Sequence, residues 1–206
     1  MLNQVISAVL QVAVFTLIPF LVYIFRYKRI RGFGQYVGLV PSTRKAVLLS
    51  LLISVLFLAG ALVMVLLHDG IRAVMTTPPS VTGNLREMGF SAGSLVNLLI
   101  IAWIKTAFAE ELFFRGFVAG RLVERFGYAR GNALQALIFG VIHAVLFLAL
   151  TAAGGLFIVF IFCLSTLAGY CIGYIKEKVG NNSIIPGWIA HGLGNTVSYA
   201  LIAFVL

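Results

Sequence analysis

Charge is what this sequence has least of. Only 10% of its 206 residues are charged, against 61% hydrophobic, and Asp and Glu together number six. A soluble domain of this length has no core large enough to hide so much apolar surface, so a water-soluble fold is excluded. The mean hydropathy of +1.07 places the chain among membrane proteins. No stretch is polar enough to form a separate soluble unit, and residues 1–206 read as a single transmembrane domain. Cysteine is also scarce. Cys163 and Cys171 are the only two, eight residues apart on one predicted helix. Their separation of about 12 Å along the axis is too great for a disulfide, which leaves both as packing residues. Basic residues are absent from the first four positions and follow the first apolar run instead, the reverse of a secretory leader. That run is expected to stay as the first helix.

The net charge of +9 accompanies no recognisable nucleic-acid module, so no nucleic-acid partner is expected. Its meaning lies in where the cations fall. Six apolar runs are long enough, or nearly so, to cross a ~30 Å hydrocarbon core as helices, at about 4–25, 45–68, 95–118, 132–150, 156–175 and 184–206. The expected fold is an all-α polytopic bundle of about six spans with membrane lipid around it. Eleven Lys and Arg gather in, or at the edge of, the loops after spans one, three and five, whereas Arg72 and Arg86 lie on the opposite side. The positive-inside rule then sets both termini outside and those three loops in the cytoplasm. The membrane would be the cytoplasmic one in a bacterium. The short connection 151–155 predicts an antiparallel hairpin of spans four and five. Residues 69–94, with Pro78-Pro79 and several Gly and Ser, read as a surface loop with a short interfacial piece. Gly169 and Gly173 form a small-xxx-small pair suited to close helix packing.

Against this background a few polar residues are out of place. Glu110 and Glu111 fall inside the third run, although an ionisable group at bilayer depth costs at least ~2.5 kcal/mol. Arg115 follows Glu111 by four residues, about 40° away on one helical face, and can neutralise it. Glu110 points about 100° from Glu111, which leaves its carboxylate free for chemistry. His143 lies in the middle of the fourth run and His191 within the sixth, with Asn195 one turn further on the same face. Counted from the loop cations Arg121 and Arg130, Glu110 and His143 lie at a similar depth, so the outliers can meet in one layer near mid-membrane. A structural ion-pair cluster would explain the charges alone; outliers on three separate helices favour a catalytic site.

Glu110-Glu111-x-x-x-Arg115, Phe139-x-x-x-His143 and His191-x-x-x-Asn195, in this order on successive spans, resemble the CPBP family of intramembrane proteases. That family includes CAAX prenyl endopeptidases and bacterial Abi or bacteriocin-immunity members, and the likeness runs from about residue 95 to residue 206. It implies an intramembrane endopeptidase acting on a membrane-associated peptide or protein, lipidated or otherwise anchored. Glu110 would be the general base for water attack. His143 and His191 would position the water, share the proton or hold a metal, and Asn195 would donate to the oxyanion. Glu111 and Arg115 would orient the set. Glu110, His143 and His191 could ligate Zn²⁺ as a metalloprotease set with an open position, although the glutamate mechanism does not require it. Two other classes stay open from the residues alone: a proton- or ion-coupled transporter, because intramembrane Glu, His and Arg also build relays, and a non-proteolytic immunity or abortive-infection scaffold.

Overall fold

The computed structural model describes residues 2–150 and 154–206, and among them every regular element is helical. In chain order these are α1 (Leu2–Tyr27), α2 (Phe33–Tyr36), α3 (Arg44–Leu67), α4 (Asp69–Thr76), α5 (Val81–Glu87) and α6 (Ala92–Leu99), then two π-helical stretches. These are π1 (Ile100–Phe108) and π2 (Glu111–Ala119), and they lead into α7 (Gly120–Leu150), α8 (Gly155–Lys178) and α9 (Ile185–Phe204). The expected all-α membrane bundle is what the chain forms.

Four continuous helical stretches are long and apolar enough to cross a membrane: Gln4–Tyr27, Arg44–Leu67, Ala92–Ala149 and Gly155–Lys178. The third holds both the third and fourth expected spans, because the chain turns back at Gly127. There φ is 77° and ψ 165°, a conformation essentially restricted to glycine. The contacts of the two arms show the reversal: Phe114 meets the Phe139 ring, and Glu110 meets His143. The sixth expected span is the 20-residue α9. Its Gly187, His191, Asn195, Thr196 and Ser198 dilute its apolar residues, which keeps it out of that most apolar set.

α7 and α8 pack antiparallel, as expected, although 151–153 of their connection fall outside the described residues. Gln135 Nε2 donates to the Gly169 carbonyl at 2.9 Å and Asn132 Nδ2 to that of Tyr170 at 3.1 Å. Phe147 meets the Phe157 ring with centroids 5.3 Å apart. Gly169 and Gly173 serve this contact: a Cβ on Gly173 would overlap the Asn132 amide, and one on Gly169 would touch the Ala136 Cα. The two cysteines are free.

Residues 69–94 are more helical than the sequence suggested. Two serines supply the reason. Ser80 caps α5 by accepting from Gly83 N at 2.9 Å, and Ser91 makes a reciprocal capping box with Ser94 at the start of α6. Each satisfies amides that a helix start otherwise leaves orphaned.

At the end of the bundle that carries the basic loops, the segment after α2 is pinned to the segment before α9. Ile184 N donates to Gly38 O at 2.9 Å, and Thr43 Oγ1 donates to Val179 O at 2.9 Å. π2 packs on this lattice through Gly116. A Cβ there would lie 2.4 Å from the Val37 carbonyl oxygen and 3.3 Å from its Cα. Backbone held from both sides cannot yield cheaply. Gly116→Ala is therefore expected to cost about 1–3 kcal/mol by overpacking, read as a lowered unfolding transition in detergent.

Candidate active site

π1 and π2 flank Ala109-Glu110, so the two glutamates sit at the junction of two stretches wound more loosely than an α-helix. π segments are uncommon and collect at functional sites, because the extra residue per turn redirects side chains. Here Glu110 and Glu111 take different partners.

Glu111 is almost fully buried, with 1% of its side chain exposed, and so is Arg115 at 2%. Arg115 Nε lies 3.5 Å from Glu111 Oε1, the ion pair expected from their spacing. The guanidinium also stacks on the Phe139 ring, 3.8 Å from its centroid. His191 Nδ1 approaches the same Glu111 oxygen at 3.5 Å. The second oxygen fits against α9 only because residue 187 is glycine: a Cβ there would come within 2.4 Å of it.

Glu110 faces His143 instead, with Oε2 3.7 Å from Nε2. The other ring nitrogen, Nδ1, is 2.8 Å from the Phe139 carbonyl oxygen. Because that oxygen can only accept, Nδ1 carries a proton, and in the neutral ring Nε2 turns its lone pair toward Glu110. Phe139 thus holds two members of the site, Arg115 on its ring and His143 on its carbonyl.

A cavity of about 250 Å³ opens beside these groups. Glu111, Arg115, His143, His191 and Asn195 line one side of it. Ile53, Phe57 and Leu58 of α3 and Leu164, Ala168 and Ile172 of α8 supply apolar lining, and Ser54, Ser165 and Ser198 add three hydroxyls. Glu110 is not among the lining residues and reaches the cavity through His143. Five of the six polar residues singled out in the sequence thus meet in two groups, Glu110 with His143, and Glu111 with Arg115 and His191; the sixth, Asn195, lines the same cavity as His143 and His191.

Among the described residues, no group of three or more His, Cys, Asp or Glu side chains is gathered to hold a metal ion. Of the set considered for zinc, Glu110 and His143 face each other while His191 turns to Glu111. These positions do not fit a three-donor centre.

Residues 92–197 match the family model described as Rce1-like, type II CAAX prenyl endopeptidase. The chain belongs to this family. The matched stretch begins at α6 and takes in π1, π2, α7, α8 and most of α9, with all six of the polar residues above. Membership makes the chain an intramembrane endopeptidase in general terms, consistent with an integral membrane bundle whose ionisable residues face a cavity. No curated protein and no solved structure shows a significant match to the chain.

Several residues of the site escaped the reading of the sequence. Asn195 Nδ2 donates to Thr106 Oγ1 at 2.8 Å. Trp188 Nε1 donates to the Trp103 carbonyl at 2.9 Å, and Ser54 Oγ to the Ala190 carbonyl at 2.8 Å. Gly192 lies flat on the Trp103 indole, where a Cβ would be 2.6 Å from the ring. Thr, Ser and Trp are ordinary residues of membrane helices, so nothing local marks these. The one available signal was that α9 alternates small residues with its polar ones, as close packing against a neighbour requires.

Proposed function

We propose that the chain hydrolyses a peptide bond of a membrane-associated substrate with a water molecule activated by Glu110. The observation that carries this reading is the Glu110–His143 pair. Two groups from opposite arms of a hairpin stand 3.7 Å apart with the far nitrogen of the imidazole tied to backbone. A carboxylate and an imidazole lone pair facing each other require a hydrogen between them, and a water donating to either is oriented and made basic. As its oxygen adds to the scissile carbonyl, the water loses a proton to Glu110. The same carboxyl, or His143 through it, then returns a proton to the leaving amine. Charge develops on the carbonyl oxygen, and the Asn195 amide, which lines the cavity with both histidines, is the donor for it. Glu111, Arg115 and His191 hold the two arms and α9 in register. No step passes through a metal ion.

The largely apolar walls of the cavity on α3 and α8 suit a substrate delivered from the lipid phase. The family description supplies a concrete candidate, a prenylated peptide of the CAAX type. With the basic loops in the cytoplasm and both termini outside, the substrate would be one presented at the cytoplasmic leaflet.

The experiment uses the full chain in detergent and a quenched fluorogenic farnesylated peptide ending in a CAAX sequence, with the product identified by mass spectrometry. Cleavage is expected from the wild type and is expected to fall by about 10²–10⁴-fold in His143→Ala, the range for loss of an acid–base group. A His143→Ala chain as fast as wild type would refute the mechanism. Pre-treatment with a chelator is expected to leave the rate unchanged. Loss that Zn²⁺ restores would instead require a metal-dependent route.

A further inference from the structure

Asn195 and Thr106 lie on different elements, α9 and π1, and meet through one hydrogen bond, Asn195 Nδ2 to Thr106 Oγ1 at 2.8 Å. The direction of that bond follows from what else the hydroxyl does. Thr106 Oγ1 lies 2.9 Å from the carbonyl oxygen of Ile101 and 3.1 Å from that of Ala102. A hydroxyl has a single proton and two lone pairs. Two backbone carbonyls, which only accept, compete for that proton, so it points along π1. Toward α9, where the Tyr199 hydroxyl meets Thr106 as well as the Asn195 amide, the hydroxyl has only its two lone pairs to offer. A side-chain amide meeting it must present its NH₂ and not its oxygen.

We infer that Thr106 is a positioning residue that sets the orientation of the Asn195 amide. The inference rests on the reading of Asn195 as donor to the developing oxyanion. One N–H of Asn195 is anchored on Thr106, and the second N–H of the same nitrogen remains for the cavity that Asn195 lines. Thr106 itself does not line the cavity, so it touches no substrate. Without the hydroxyl the amide can rotate by half a turn and offer its carbonyl oxygen where negative charge develops, which repels. The loosely wound π1 contributes directly, since the hydroxyl bridges carbonyls five and four residues back. α9 is already held against π1 by the Trp188–Trp103 bond and by Gly192 on the indole. The Asn195–Thr106 bond is therefore not needed to dock the helix, and interhelical side-chain bonds of this kind add little to stability.

The test compares Thr106→Val, which keeps shape and removes the acceptor, with Thr106→Ser, which keeps the hydroxyl. Asn195→Ala and the double variant Thr106→Val/Asn195→Ala complete the cycle, all assayed on the farnesylated CAAX peptide. Loss of one oxyanion donor typically lowers kcat by about 10²–10³-fold, the drop expected for Asn195→Ala. Thr106→Val is expected to lower kcat by about tenfold to a hundredfold, with KM within about twofold, in line with the cost of a misplaced group. Thr106→Ser should recover most of it, and the double variant should be no worse than Asn195→Ala. An impaired Asn195→Ala beside a fully active Thr106→Val would overturn the positioning role and leave the oxyanion reading standing. A fully active Asn195→Ala would remove the oxyanion reading, and this inference with it. A second readout needs no substrate: the side-chain NH₂ signals of the ¹⁵N-asparagine-labelled chain in detergent, with Asn195 assigned by their loss in Asn195→Ala. Thr106→Val should shift or broaden that pair and Thr106→Ser should preserve it. A pair unchanged by Thr106→Val would overturn the inference whatever the peptide does.

Discussion

Glu110→Gln should abolish cleavage while leaving the protein folded. The substitution keeps the size of the side chain and removes its ability to take a proton. Among the described residues Glu110 has a histidine and no Lys or Arg within ion-pair distance, and its contact with His143 is 3.7 Å long. Little native-state energy therefore depends on its charge. The expected result is a fall in kcat of about 10²–10⁴-fold, with the unfolding transition in detergent close to wild type. Because Glu110 acts on bound substrate, KM should move far less than kcat. A Glu110→Gln chain that cleaves at even half the wild-type rate would leave the proposed base without a role.

Its neighbour is expected to behave in the opposite way. Arg115→Met removes the guanidinium held against Glu111, whose side chain is 1% exposed. Breaking a buried pair by deleting one partner costs about 3–5 kcal/mol, because the remaining charge stays desolvated. His191, 3.5 Å from the same oxygen, remains beside the carboxylate and can offset part of this. Arg115→Met should thus lose stability and activity together. Removing both charges separates the two effects. Glu111→Leu combined with Arg115→Met replaces the pair by apolar groups of similar size, an exchange that is often neutral or favourable. The double variant should regain most of the lost stability, measured by thermal unfolding in detergent, and remain inactive. If it stays as unstable as Arg115→Met, the pair holds the fold through something other than mutual neutralisation. Adjacent glutamates with opposite signatures, one felt in rate and the other in stability, would reflect their different partners.

The sequence by itself determined the solvent and the helical class, and it singled out the ionisable residues that the fold then brings near one another. Apolar runs of membrane-spanning length admit only helices when no strand pattern accompanies them, because backbone groups in lipid must be paired within their own segment. Charge at bilayer depth is costly enough that Glu110, Glu111, Arg115, His143 and His191 stood out singly. The Glu111–Arg115 pair needed only helical spacing, since both residues lie on one short stretch. Three things could be decided only by tertiary structure, because each depends on what lies across a helix–helix contact. The chain turns back at Gly127, so one long apolar stretch makes two arms and sets Glu110 against His143. His191 faces Glu111 and not Glu110, because α9 docks with Gly187 against that carboxylate, and the donor set considered for zinc is divided as a result. Thr106, Trp103 and Ser54 belong to the site through hydrogen bonds to α9, although as residue types they are unremarked in any membrane helix. Burial energy acts on each residue alone and is visible in sequence; partnership is a property of two surfaces and appears only when they are brought together.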